Sequence, residues 1–167
     1  MTSSTVFRAG PHHAGLVGGL LFDFNTEFET AGPSAHEFAA RFTHLLTRDD
    51  VIVLVVGTEQ APSGFAFLTL RPTPYFDGPL AQLEELYVRP ALRDQGLGTD
   101  LLLTAIDLVR RGGCREIHIN VDEDDGDTRR FYERHGFLNI QPGADYRMLC
   151  YVGTTELPVN RSGLAVP

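Results

Sequence analysis

Residues 83–98 read Leu-Glu-Glu-Leu-Tyr-Val-Arg-Pro-Ala-Leu-Arg-Asp-Gln-Gly-Leu-Gly, and no other stretch constrains the fold as much. A strand of strong β formers, Leu86, Tyr87 and Val88, runs into a short basic turn that holds Gly96 and Gly98. A helix then starts near Gly98. Leu101, Leu102, Ala105, Leu108 and Val109 recur at helical spacing, and Asp100, Thr104, Asp107 and Arg111 fall on the opposite face. Such a turn aims several backbone N–H groups and the positive end of a helix dipole at one point, an anion site whose usual guest is a phosphate. The two glycines admit the anion without a Cβ in the way, and Arg93 adds charge. Other phosphate loops do not fit. A Rossmann fingerprint needs a third glycine where Leu101 stands, and no Gly-Lys-Ser/Thr of a Walker loop occurs.

Around this unit the pattern predicts a short strand at 5–8 and a helix over 12–30, interrupted by Gly15, Gly18 and Gly19. Ser34-x-x-Glu37 is a capping box ahead of a second helix with Phe38, Phe42, Leu45 and Leu46 as its buried stripe. The apolar run 51–56 and the segment 65–70 form a hairpin, and a proline-rich loop covers 71–79. A strand at 82–88, the helix at 98–111, a strand at 116–121 and a helix at 128–135 closed by Gly136 follow. Segments 137–140 and 147–152 read as a last hairpin. Cys114 and Cys150, at or within strands, read as buried free thiols, and 154–167 as a partly ordered tail. The order β-α-α-β-β-β-α-β-α-β-β is α+β: a mixed, mostly antiparallel sheet with a central parallel strand-helix-strand unit and flanking helices, one domain over 1–153.

The chain of 167 residues is long enough for one full core. Its net charge of −8 argues against nucleic acid, whose binding rests on neutralising phosphates, and is compatible with a cationic substrate. No apolar run approaches the roughly eighteen residues that cross a bilayer, and the first residues lack a secretory layout. A cytoplasmic protein without membrane contact is expected.

Arg93-x-x-Gly96-x-Gly98, directly after a strand ending in Tyr-Val, resembles the acetyl-CoA pyrophosphate loop of the GNAT acetyltransferase superfamily. Asp127-Thr128-Arg129-Arg130-Phe131-Tyr132-Glu133-Arg134-His135-Gly136-Phe137 resembles that family's short helix ending in Tyr-x-x-x-Gly-Phe. The two lie in the family's order and at about its spacing, and the likeness covers residues 83–140 well. It implies two splayed parallel strands with the pantetheine arm between them. Main-chain groups of Leu86 and Val88 would hold that arm, beside Tyr87. The turn Arg93, Asp94, Gln95, Gly96, Leu97, Gly98 and Thr99 would take the phosphates, and Asp125, Thr128 and Phe131 would complete the cofactor contacts. Many members have Asn and Ala where this chain has Asp125 and Thr128; Asp125 can accept from a pantetheine amide but cannot donate. The resemblance also implies acceptor contacts from Asn25, Glu27 and Phe28, to which Glu84 and Asn120 are added.

Moving an acetyl group from a thioester to an amine sets three needs. An alkylammonium of pKa about 10.4 must lose a proton, because only about one in 10³ is neutral at pH 7. The carbonyl oxygen needs a donor, for which the Val88 N–H is the candidate, and the departing thiolate benefits from a proton. In the family a tyrosine at the position of Tyr132 gives that proton. The stretch Leu-Glu-Glu-Leu-Tyr-Val is similar to the corresponding strand of the diamine acetyltransferases, which implies Glu84 as base, acting through a water. Alternation along the strand sends Glu85 to the other side; Glu85 or solvent alone remain alternatives.

The expected activity is acetyl-CoA-dependent N-acetylation of a primary amine, of a small cationic metabolite, by direct attack in a ternary complex. A non-catalytic CoA-binding module and a protein N-terminal or lysine acetyltransferase are the alternatives. A homodimer is possible, and no metal is expected. Asp122 to Gly126 with Glu133 in twelfth place misses the EF-hand pattern, its glycine being fifth rather than sixth; His12, His13 and His118 have no partner at ligand spacing.

Overall fold

The structure, a computed structural model, describes residues 5–152. They group into two compact units, one running to Ile119 and one beginning at Asn120, each described by itself.

The first unit contains β1 (Val6–Arg8), a 3-10 turn at Pro11–His13, α1 (Ala14–Glu27), α2 (Ala35–Leu45), β2 (Val51–Gly57), β3 (Pro62–Arg71), β4 (Leu80–Val88), α3 (Leu97–Arg111) and β5 (Ile117–Ile119). The sheet runs in the order β1-β2-β3-β4-β5, antiparallel except for the parallel pair β4–β5. With α4 (Gly126–Arg134) in the second unit, the described residues make the expected α+β class with a mixed five-stranded sheet.

The continuous apolar run of β2 is explained by burial on both faces. Val51, Val53 and Val55 join Phe65, Tyr87 and the Val17, Leu20, Phe38 and Phe42 side chains of α1 and α2 in one cluster. Ile52, Leu54 and Val56 turn to the other face, where α3 brings Leu101, Leu102, Ala105 and Val109. The capping box forms: Ser34 Oγ accepts from the Glu37 N–H at 3.3 Å, and the Glu37 carboxylate accepts from the Ser34 N–H at 2.8 Å. The helix also tolerates its glycines. A Cβ on Gly18 would lie 2.6 Å from the Ala39 nitrogen and 3.0 Å from the Ala35 carbonyl oxygen, so Gly18 lets α1 press directly on the α2 backbone.

Five expectations need correction. α3 begins at Leu97 and α4 at Gly126, each earlier than read, because Gly96 and Asp125 are the N-caps. β5 is shorter than 116–121: its pairing with β4 stops at Leu83↔Ile119, where β4 becomes irregular. The last hairpin forms no strands. Among the described residues, a Met148 N–H to Asn139 carbonyl bond at 2.8 Å ties its arms, and Leu138, Ile140, Met148 and Leu149 are exposed. Cys150, in the same segment, is exposed, while Cys114 is buried and free as expected. The tail at 154–167 lies outside the described residues.

Candidate active site

Gly96 opens α3 with φ 85°, a left-handed conformation that glycine adopts without steric cost. It has no side chain to cap the helix, and the first intrahelical bond runs from the Asp100 N–H to the Gly96 carbonyl at 2.9 Å. The N–H groups of Leu97 and Gly98 therefore stand at an uncapped helix start with the dipole behind them, and Thr99 completes this first turn. Asp94, at φ 61°, turns the loop between Arg93 and Gln95. This cradle of main-chain donors fits the phosphates of a nucleotide thioester.

The phase of β4 decides what lies upstream. The Arg89 N–H donates to the Ser63 carbonyl at 2.9 Å, one step beyond the partners Val88↔Gly64. Counting back by two, Glu85 and Tyr87 share main-chain bonds with β3, while Leu86 and Val88 turn theirs to the opposite edge, past the point where β5 has stopped pairing. That edge can take an extended arm bearing amides. Tyr87 behaves differently: its ring packs on Phe24 at 5.3 Å and Phe65 at 6.3 Å, inside the α1–α2 core.

Across β3, Leu83 faces Leu68 and Glu85 faces Phe67, which leaves Glu84 as the extra residue of a bulge. The bulge overturns the expectation that Glu84 and Glu85 point to opposite sides. Glu85 stands opposite Phe67, and Glu84 accepts a hydrogen bond from the hydroxyl of Thr69, which shares the Phe67 face of β3. Burial first, and the neighbouring Glu84 charge second, push the half-buried Glu85 carboxyl up to about 7. The same face continues through Gln82, opposite Thr69, to His118, opposite Gln82. Arg71 Nη2 lies 3.1 Å from His118 Nδ1, which must accept, so Nε2–H is left to donate to Glu116 at 3.3 Å. Thr69, Gln82 and His118 are polar neighbours of the acid pair that sequence reading missed; only long-range strand register reveals them.

Of the residues expected on the acceptor side, Asn25 is half-buried, and Phe28 is exposed with its ring edge-on to Phe24 at 5.1 Å. Glu27 binds Arg93 at 2.7 Å, and one helical turn earlier Asp23 binds Arg89 at 2.7 Å. Asp23 and Arg89 were also missed, although the matched spacing of the two pairs was a readable signal. Asn120 is exposed and begins the second unit.

In that unit, Asp125 caps α4, its carboxylate accepting from the Thr128 N–H at 3.0 Å. Tyr132 is buried, with Phe131 at 5.2 Å and Phe137 at 5.6 Å, and Gly136 closes the helix at φ 86°. Glu123 pairs with Arg147.

One histidine pair does gain a distant partner: the potential ligand atoms of His12, His13 and Glu59 lie within 4.8 Å of one another. The Gly10 N–H donates to His13 Nδ1 at 3.0 Å, so neutral His13 carries its proton on Nε2, which donates to Glu59 at 3.1 Å. A metal on Nε2 would move that proton to Nδ1, against the Gly10 N–H, so this cluster is a hydrogen-bonded brace.

The profile of the Acetyltransferase (GNAT) family matches residues 19–137, which includes the anion cradle, the bulged strand and α4. The chain belongs to the GNAT acetyltransferase family. A protein of Arthrobacter sp. FB24 classed as an acetyltransferase is 44% identical, with TM-score 0.86 over 92% of this chain and 97% of that one. An aminoglycoside acetyltransferase from an uncultured soil metagenomic sample, in complex with sisomicin, is 19% identical with TM-score 0.74, over 91% of this chain and 96% of that one. An aminoglycoside N-acetyltransferase in complex with CoA is 20% identical with TM-score 0.71, over 88% and 95%. At such identities these last two attest the GNAT fold alone. No curated protein matches the sequence. Among the described residues no helix is long and apolar enough to cross a membrane.

Proposed function

We propose that this GNAT enzyme transfers the acetyl group of acetyl-CoA to a primary amine of a small cationic metabolite, by direct attack in a ternary complex. One observation carries the reading: within residues 84–99 an acidic pair leads into the turned-out edge of Leu86 and Val88, and that edge leads into the uncapped start of α3. Acetyl-CoA, when bound, supplies the activated thioester. The cradle at Leu97 and Gly98 would hold its phosphates, the Leu86 and Val88 main chain its amide arm, and the Val88 N–H would donate to the carbonyl oxygen.

Glu84 and Glu85 attract the ammonium form of the acceptor. A carboxylate with pKa about 7 is half ionised at neutral pH, a suitable poise for taking the ammonium proton directly or through a water. On this ground Glu85 is the base, and Glu84 holds the cation and raises its neighbour's proton affinity. Tyr132 gives its hydroxyl proton to the departing thiolate. Thr69, Gln82 and His118, on the same face as the acid pair, bind the polar body of the acceptor. The sisomicin-bound relative of like fold makes a polyamine or an amino sugar a reasonable first choice.

The test is thiol release from acetyl-CoA across a panel of polyamines, aminoglycosides, amino acids and peptides with free N-termini. Turnover with cationic small amines is expected; turnover with peptides alone would overturn the acceptor class.

A further inference from the structure

The arginine best suited to a phosphate is already occupied. Arg93 donates Nε to the Val88 carbonyl at 3.0 Å, and its Nη2 lies 2.7 and 2.8 Å from the two carboxylate oxygens of Glu27. Its neighbour Arg89 makes the same kind of contacts, with Asp23 at 2.7 Å and with the Pro62 carbonyl at 2.9 Å. The Glu27 and Arg93 side chains are 24% and 40% exposed, and an ion pair so open to water holds weakly. A pyrophosphate in the cradle three residues downstream carries more charge than one carboxylate, and an arginine can meet it with a two-nitrogen fork where Glu27 engages Nη2 alone.

We infer that Glu27 competes with the pyrophosphate of the donor for Arg93, so that donor binding breaks the Glu27–Arg93 pair and releases the Glu27 carboxylate from its cation. This rests on the function proposed above, since it takes CoA as the occupant of the cradle. Glu27 is then a gate on the donor site. The Asp23–Arg89 pair lies four residues further from the cradle along the chain, so the competition does not reach it and it keeps α1 docked on the end of β4.

Calorimetric titration with CoA decides the matter and needs no turnover. Wild type, Glu27→Gln, Arg93→Met, the double variant and Asp23→Asn are compared, with folding of each checked by thermal unfolding. Removing a competitor should tighten binding, so Glu27→Gln gains about 2–5-fold in affinity. Arg93→Met should bind more weakly, and Glu27→Gln should add nothing in that background. Asp23→Asn, which removes the same charge one turn away, should gain less than Glu27→Gln. Weaker or unchanged CoA binding by Glu27→Gln would mean that Glu27 orients Arg93 and would overturn the inference. So would a gain that persists without Arg93, or one that Asp23→Asn matches. A wild type that binds no CoA would sink the donor reading itself. Binding without amine turnover would count against the acceptor reading and leave the competition measured.

Discussion

Glu84 and Glu85 are consecutive in a strand yet lie on one face of it, because β4 carries one residue more than β3 between the partners Leu83↔Leu68 and Glu85↔Phe67. Two carboxylates on one face cannot ionise independently, and the more buried of them holds its proton to about pH 7. Under the proposed mechanism, the rate and the stability of the enzyme should both depend on this pair.

Glu85→Gln keeps the shape and removes the titrating group. In wild type, kcat/KM should rise with pH along a limb centred near 7, and in the variant that limb should vanish while the rate falls about 10²–10⁴-fold. Stability should move the other way. A carboxyl whose folded pKa is raised takes up protons more readily folded than unfolded, so its penalty appears as pH climbs from the ordinary carboxylate range to about 7 and is full above that. Thermal unfolding should find Glu85→Gln ahead of wild type at pH 8, with the advantage fading below about pH 4.

Glu84→Gln separates the two acids. If Glu85 is the base, losing the neighbouring charge shifts the limb to lower pH and raises the acceptor KM. If Glu84 itself relays the proton, the limb disappears and activity returns only as rising pH deprotonates the amine. A pH–rate profile with one good amine distinguishes the two outcomes.

Tyr132→Phe keeps the buried ring against Phe131 and Phe137 and removes one oxygen. CoA affinity should change little while kcat drops by about 10²–10⁴-fold, nearer the lower figure because a thiolate is a fair leaving group. Wild-type turnover in the variant would make Tyr132 a packing residue and leave water as the acid.

Gly18→Ala tests packing rather than chemistry. Its Cβ would sit 2.6 Å from the Ala39 nitrogen, so α1 and α2 must separate, at a cost of about 1–3 kcal/mol in denaturant unfolding. Gly19→Ala, with open space around it, should stabilise slightly through helix propensity.

Much of this was readable along the chain because it is local. The capping box at Ser34, the glycine turn before α3 and the stop at Gly136 are each set within a few residues. The main-chain role of Leu86 and Val88 came from the family resemblance, and its phase is set by the pairing of Arg89 with Ser63 across the sheet. What failed was non-local. The bulge exists only in the register between β3 and β4, so the faces of Glu84 and Glu85 could not be counted from β4 alone. Thr69, Gln82 and His118 come together only through strand pairing. The reading of 147–152 as a strand rested on composition, and composition does not supply a partner to bury against.

The early end of β5 has one more consequence. Leu86 and Val88 leave a length of strand edge turned away from β3, and in general such an edge can template pairing with another chain. Here β5 covers the edge up to Leu83, and Arg93 occupies the carbonyl of Val88. What β5 and Arg93 leave is the short segment at Leu86 and Val88, and an edge so short offers a foreign strand few main-chain partners.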